Sequence, residues 1–193
     1  MQIVFREPVS ENEFRELMEF RRRIYAQTET LKNMVTQNDI SAFDAQAFHF
    51  AAYDGTSPVA YMRMVQTVET KFADWIKTIA GTLESAAVSF PFENYSPNKS
   101  WNAEFLQSLQ FQKIGEAGKL AVDKDYRSDI FLEQFIKAFL NYCINDNHFE
   151  VGFGICTYSL ERFYKRFGFY RASGAVPFVY QDLPEAVVVR FDR

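Results

Sequence analysis

The sequence predicts a mixed α/β fold, and two observations support this fold class. A strand pattern over residues 114–122 is followed by an amphipathic helix and by a second strand pattern over 149–155, which is typical of a crossover within one sheet. Two earlier apolar runs are joined only by turn-forming residues, which indicates a hairpin. The 193 residues suit a single domain, 1–193, with room for one insertion.

The chain begins with a short strand and a long helix. Residues 3–6 are apolar enough for a first strand, and Ser10 followed by Glu13 is the signature of a capping box. The apolar residues of the helix lie on one stripe, and Arg21 falls in the middle of it. An arginine on an inward face must be paired or must line a pocket. Arg21 is therefore a candidate site residue.

The hairpin is predicted over residues 47–65. Its strand patterns, 47–53 and 59–65, flank Asp54-Gly-Thr-Ser-Pro58, which contains turn formers only. Alternation along the second strand places Arg63 on an otherwise apolar face. A second arginine is thus expected to point inward.

Residues 67–113 are predicted to be an insertion between the hairpin and the next strand. Large apolar residues recur at helical spacing over 68–84, and a shorter helix is expected over 102–111. The segment 89–100 is rich in turn formers. We expect the insertion to cover a pocket.

The strand at 114–122 carries two charged residues, Glu116 and Lys119. Strict alternation places them on opposite faces. Gly115 and Gly118 permit a β-bulge, which would turn both side chains toward one site.

The C-terminal third reads as regular structure. A helix is expected to begin at Ser128 or Asp129, which are good N-caps, and to present one apolar stripe to the sheet. The elements expected after it are a strand at 149–155, a helix at 159–166 that stops at Gly168, and strands at 176–180 and 186–191.

Composition argues against several functions. The formal charge of −4 gives no reason to expect nucleic-acid binding. Cys143 and Cys156 are too few for a disulfide framework, and two histidines are too few and too isolated for a metal site. No apolar run approaches the ~20 residues that span a bilayer, and no signal-peptide pattern is visible. We therefore expect a cytoplasmic protein with no bound metal.

These residues and their order resemble the GNAT superfamily of acyltransferases. Tyr164-Lys-Arg-Phe-Gly168-Phe169 matches the family's Y-x-x-x-G-F motif. The resemblance implies a central mixed, mostly antiparallel sheet flanked by helices. It also implies an acyl-phosphopantetheine donor, on acyl carrier protein or coenzyme A, and no permanently bound cofactor. In this reading Tyr164 protonates the departing thiolate, and the donor-binding residues are Leu120, Ala121, Val122, Arg127 and Ser128.

A narrower resemblance is to the acyl-homoserine-lactone (autoinducer) synthases and the N-acyl amino acid synthases. Arg21 precedes Tyr25 by four residues, an acidic stretch over 39–44 ends at Asp44, and Glu116-Ala-Gly-Lys119 resembles the family's E-x-x-R. The resemblance implies that Glu116 accepts the proton of the acceptor amine. The implied substrate-binding residues are Arg21, Tyr25, Asp44, Arg63 and Lys119.

Three departures from the family pattern bear on the substrates. The segment 127–132 lacks the glycines that let a backbone approach a pyrophosphate, which favours acyl carrier protein as the donor. Lys119 replaces an arginine, so a bidentate fork is lost. Ser41 stands at one of the family's paired acidic positions.

Three functions remain open from the sequence. The first is an N-acyltransferase that moves a medium or long acyl group to the amine of an amino-acid-like acceptor. The second is an acetyl-CoA-dependent N-acetyltransferase, and the third is a GNAT-fold binding module without turnover. Each site residue also has a structural alternative. Glu116 could form a salt bridge with Lys119 or Arg63, and Tyr164 could be a core aromatic.

Overall fold

The computed structural model describes residues 3–27, 40–81, 83–84, 87–180 and 183–193. Its strands are β1 (Ile3–Arg6), β2 (Ala47–Asp54), β3 (Ser57–Val65), β4 (Ile114–Val122), β5 (Val151–Thr157), β6 (Tyr170–Arg171), β7 (Phe178–Tyr180) and β8 (Leu183–Asp192). Its helices are α1 (Glu11–Ala26), α2 (Ala42–Ala45), α3 (Ala73–Ala80), α4 (Phe92–Tyr95), α5 (Lys99–Ser108), α6 (Asp129–Asn141) and α7 (Tyr158–Lys165).

All eight strands belong to one sheet. Its order is β1-β2-β3-β4-β5-β8-β6, and β7 also pairs with β8. Every pairing is antiparallel except that of β4 with β5, which the α6 crossover connects in parallel. The predicted mixed, mostly antiparallel sheet flanked by helices is therefore confirmed.

Helices cover both faces of the sheet. On one side, here called the α6 face, aromatic residues of α6 pack against β2 and β3, and Tyr164 of α7 belongs to the same core. On the opposite side, the α1 face, α1 and α3 pack against the alternate residues of the same two strands. The short helices α4 and α5 extend that layer over β5 and β8.

Helix α1 follows its sequence signals closely. The Ser10 hydroxyl accepts from the Glu13 N–H at 3.2 Å, so it caps the first turn as predicted. The Glu13 carboxylate reaches back to the Val9 N–H at 3.0 Å and also pairs with Arg6. The apolar stripe of the helix is buried, and Arg21 lies within it with no exposed surface.

The segment 67–113 differs from its predicted secondary structure. The helix expected over 68–84 is confined to α3, because Thr70 is bonded elsewhere. Its N–H donates to the carbonyl oxygen of Ala45 at the end of α2 at 2.9 Å, and its hydroxyl donates to the carbonyl oxygen of Ala47 at the start of β2 at 2.9 Å. Gly81, with φ of 73°, ends the helix. The second helix begins at Lys99 rather than at 102, because the Asn98 side chain caps its first turn by accepting from the Trp101 N–H at 3.0 Å. Strand β6 was not predicted.

Among the described residues, no helix is both long and apolar enough to cross a membrane.

Candidate active site

The parallel strands β4 and β5 part soon after they meet. Their pairing covers Ile114–Glu116 and Val151–Phe153. Gly154 follows directly, and a Cβ there would lie 2.5 Å from the Ala117 carbonyl oxygen, so only glycine lets the strands approach at this point. Among the described residues, the later part of β4 pairs with β3 alone, and we call its unpaired side toward β5 the β4–β5 cleft.

A β-bulge interrupts β4 inside this cleft. Tyr61 of β3 pairs with Ala121, and Arg63 pairs with Gly118, so β4 carries one extra residue between them. The left-handed backbone falls on Lys119, with φ of 55°, and not on the neighbouring Gly118. The bulge brings the Lys119 ammonium over the ring of Tyr25 of α1, 5.3 Å from its centroid.

Glu116 is the last residue of β4 that pairs with β5, and it faces the α1 side of the sheet. It is 5% exposed, and its Oε2 accepts from the Phe92 N–H of α4 at 2.8 Å. It forms no salt bridge with Arg63 or Lys119 in the described part of the structure. Burial raises the pKa of Glu116 to about 8, against the opposing effects of the Phe92 N–H and the Arg63 charge. A carboxyl group with this proton affinity can take up or release a proton near neutral pH.

Asp44 lies on the same face between two arginines. Its Oδ1 accepts from Arg21 at 2.6 Å and also from Arg63, and its Oδ2 accepts from the Ser41 N–H at 2.8 Å. Burial alone would raise the pKa of Asp44, but the charges of Arg21 and Arg63 outweigh it and hold that pKa well below its usual value. We call Arg21, Asp44 and Arg63 the ion-pair cluster.

Two members of this region were missed from the sequence. Tyr61 accepts from Arg21 at 3.1 Å, and His49 lies 2.9 Å from the Tyr61 hydroxyl and 2.9 Å from the Asp44 main-chain oxygen. Alternation along β2 could have found His49, because it occupies an inward position directly opposite Arg63 in the hairpin. The acidic stretch predicted at 39–44 begins outside the described residues, and Ser41 caps α2.

The structure separates the two predicted catalytic residues. Tyr164 is 9% exposed and packs between Phe163 and Phe169 on the α6 face, opposite Glu116. Burial raises the pKa of its hydroxyl, with a smaller effect from Cys156.

The predicted donor residues lie along one edge of the β4–β5 cleft. The Leu120 carbonyl oxygen lies 3.4 Å from the Tyr25 hydroxyl, while Ala121 and Val122 are buried. Arg127 is exposed and its Nε donates to the Val122 carbonyl oxygen at 3.0 Å. Ser128 caps α6 by accepting from the Phe131 N–H at 3.3 Å.

No protein-family model matches the sequence, and a search of curated proteins found no significant match. Solved structures do match. FeeM, an N-acyl amino acid synthase from uncultured soil microbes, superposes with a TM-score of 0.64 at 16% identity, over 99% of this chain and 91% of that one. The chain has the GNAT fold.

Two further matches agree with this assignment. BjaI, a CoA-dependent acyl-homoserine lactone synthase, has a TM-score of 0.65 at 14% identity, over 95% of this chain and 77% of that one. An acyl-CoA N-acyltransferase from Pseudomonas aeruginosa has a TM-score of 0.59 at 9% identity, and each chain is covered to 98%. The predicted resemblance to GNAT proteins, including the synthase branch, is confirmed at the level of the fold.

Proposed function

We propose that the protein is an N-acyltransferase that moves a medium or long acyl group from a phosphopantetheine thioester to the amine of an amino-acid-like acceptor. The observation that carries the proposal is the position of Glu116. This buried carboxyl group, with a pKa raised to about 8, lies where β4 and β5 part. The GNAT fold supports the same reaction class.

The proposed chemistry uses groups on both sides of the cleft. Glu116 accepts a proton from the acceptor amine, directly or through one water, so that the amine can attack the thioester carbonyl. The C–N bond forms, the C–S bond breaks, and the departing thiolate takes a proton from Tyr164. Backbone N–H groups of β4 at the bulge would stabilise the carbonyl oxygen as its negative charge develops.

An amino-acid-like acceptor suits the charges near Glu116. Glu116 pairs with Val65 of β3, and Arg63 is the next residue of β3 on the same face. The Nε of Arg63 is buried and has no hydrogen-bond partner among the described residues. A carboxylate of the acceptor would satisfy such a donor. We propose that Arg63, Lys119 and Tyr25 contact the acceptor, and that Arg21 and Asp44 shape the site behind them.

We further propose acyl carrier protein as the donor, because the start of α6 is poorly suited to a pyrophosphate. A helix N-terminus binds anions through its free N–H groups and its dipole. Here Ser128 caps the first turn, Asp129 places a carboxylate in it, and the Arg127 Nε is bonded to a main-chain oxygen. A pantetheine arm without its nucleotide avoids this carboxylate.

The insertion would provide room for the acyl chain. The segment after α4 and the loop at 174–178 line a half-open pocket of about 400 Å³, with a largely apolar lining that includes Trp101, Val176 and Phe178. The pocket begins at Ser96, one helical turn after Phe92, whose N–H contacts Glu116. We propose that residues 67–113 are an insertion within a single domain, and that its pocket takes the end of a long acyl chain.

Thiol release tests the proposed function. Purified protein is given acetyl, octanoyl and hexadecanoyl thioesters, on both coenzyme A and acyl carrier protein, with pooled amino acids as acceptors. We expect release from the longer carrier-protein thioesters and an N-acyl amino acid by mass spectrometry. Release from acetyl-CoA alone would indicate an ordinary N-acetyltransferase. Donor binding without any release would indicate a binding module.

The variant Glu116→Gln tests the assigned base. Loss of a general base lowers turnover by about 10²- to 10⁴-fold, and we expect a loss in this range with the fold retained. Glu150→Gln is a matched control, because Glu150 also accepts a main-chain N–H at 2.8 Å but is exposed and follows α6 at the start of β5. Equal activity in the two variants would remove Glu116 from the mechanism.

A further inference from the structure

Hydrogen bonds from His49 and Tyr61 contact the ion-pair cluster, and in each of them the donor and the acceptor can be assigned. The Asp44 main-chain oxygen can only accept, so the His49 Nε2, 2.9 Å away, carries a proton. In the neutral ring the Nδ1 is then an acceptor, and it receives the Tyr61 hydroxyl proton at 2.9 Å. The Tyr61 oxygen in turn accepts from the Arg21 Nη1 at 3.1 Å.

The surroundings of His49 keep this arrangement in place. The Phe14 and Phe72 rings meet the imidazole edge to face, with centroids at 4.7 and 5.1 Å. The charged groups near the ring are Asp44, Arg21 and Arg63. Burial lowers the pKa of His49 to about 3, Asp44 opposes this effect, and the two arginine charges add to it. The imidazole is therefore neutral across the usual pH range.

Tyr61 is one of the groups that orient Arg21, together with Asp44, whose Oδ2 accepts from the Arg21 Nη2 at 3.3 Å. Its Nη1 carries two protons, one directed at Asp44 Oδ1 and the other at the Tyr61 hydroxyl. The same Asp44 oxygen also accepts from Arg63. A rotation of the Arg21 guanidinium would shift Asp44, and Arg63 would lose the anchor that sets its direction.

We propose that Tyr61 and His49 are positioning residues for the acceptor site, acting through Arg21 and Asp44 to aim Arg63. Neither residue touches the reacting atoms in this scheme. The inference rests on the proposed function where it concerns the acceptor, but the geometry of the guanidinium groups can be tested without turnover.

The central experiment compares Tyr61→Phe with Tyr53→Phe. Tyr53 lies on the same face in the same hairpin and is equally buried, but its hydroxyl has no hydrogen-bond partner among the described residues. We expect Tyr61→Phe to raise the KM for the best amino-acid acceptor about tenfold, the effect of one lost hydrogen bond to a charged group. The KM for the acyl donor should not change, and Tyr53→Phe should alter neither constant.

Two substitutions of His49 separate its two hydrogen bonds. The side-chain oxygen of His49→Asn reaches the place of Nδ1 and can still accept from Tyr61. The longer amide of His49→Gln reaches the place of Nε2 and keeps only the bond to the Asp44 main chain. If His49 acts through Tyr61, the Asn variant keeps an acceptor KM near that of the wild type and the Gln variant resembles Tyr61→Phe.

NMR of the ligand-free protein tests the geometry independently of activity. We expect ¹⁵N shifts of a neutral Nε2–H tautomer for His49, and slowly exchanging guanidinium signals for Arg21 and Arg63. Tyr61→Phe should broaden or lose the arginine signals, and Tyr53→Phe should retain them. Arginine signals that are unchanged in Tyr61→Phe would overturn the positioning role, whether or not the enzyme turns over. Silence in the thiol-release assay with the expected NMR behaviour would overturn only the proposed function.

Discussion

Asp44 and Glu116 are two buried carboxyl groups on one face of one sheet, and they have opposite proton affinities. Asp44 has no exposed surface and Glu116 is 5% exposed. Two arginines and a main-chain N–H hold Asp44 in its charged form, whereas the Phe92 N–H is the hydrogen-bond donor to Glu116. The pKa of Asp44 is therefore well below its usual value, and that of Glu116 is raised to about 8.

The comparison shows that burial sets the cost of a charge and that the partners decide whether the charge is kept. Asp44 suits a permanent anchor because its proton affinity is too low for it to change state near neutral pH. Glu116 suits proton transfer for the opposite reason.

The largest expected effect is that of Asp44→Asn. The substitution removes the carboxylate that pairs with two buried arginines, and breaking a buried ion pair costs about 3–5 kcal/mol of unfolding free energy. Urea denaturation at neutral pH measures the change. Asp129→Asn is the control, because its side chain is 83% exposed and its loss should cost well under 1 kcal/mol. A loss below 1 kcal/mol in Asp44→Asn would mean that the arginines are stabilised without Asp44.

The next effect is the pH dependence of stability at Glu116. Its pKa is raised on folding, from 4.5 to about 8, so the folded state binds more protons between these values. The contribution is fully present below pH 4.5 and is lost as the pH rises toward 8, at up to about 1.4 kcal/mol per pH unit. We therefore expect Glu116→Gln to gain stability relative to the wild type from pH 5 to pH 9.

Chemical denaturation of both proteins at several pH values checks this sign. Parallel stability curves would show that Glu116 ionises in the folded state as easily as in the unfolded state. The contrast with Asp44 would then be lost.

A smaller effect on rate is expected for Tyr164→Phe. If Tyr164 protonates the leaving thiolate, its loss should lower turnover by up to about 10²-fold with alkyl thioesters. Aryl thioesters, whose thiolate leaves without a proton, should show little loss. Steady-state kinetics with both donor types makes the comparison. An equal loss with both types would assign Tyr164 to packing among Phe163 and Phe169.

The smallest effect is expected at Lys119, which adopts φ of 55° in the bulge. Glycine adopts this conformation without a steric penalty, whereas alanine, like lysine, adopts it only at a cost in free energy. Lys119→Gly should therefore be more stable than Lys119→Ala by about 1 kcal/mol. The pair of variants removes the same side-chain contact with Tyr25, and the difference reports the backbone alone. Thermal unfolding of the two proteins measures it. Equal stabilities would show that the bulge relaxes in the absence of the lysine.

The sequence predicted those parts of the site that depend on local periodicity. Helical spacing placed Arg21 on the buried stripe of α1, and strand alternation placed Arg63 inward; their exposures are 0% and 3%. The bulge was predicted within the correct strand. The prediction of a long helix over 68–84 was wrong, because the hydrogen bond from the Thr70 hydroxyl to β2 cannot be inferred from helical spacing.

What the sequence by itself determined is the set of elements and the faces on which their charged residues lie, since capping, alternation and turn formation depend on neighbouring residues. Only the tertiary structure decided the partners of those residues. Arg21 meets Asp44 across 23 positions of the chain, and Phe92 meets Glu116 across 24. The protonation states follow from those long-range contacts, because a carboxyl pKa depends on which charges and donors the fold brings within a few ångströms.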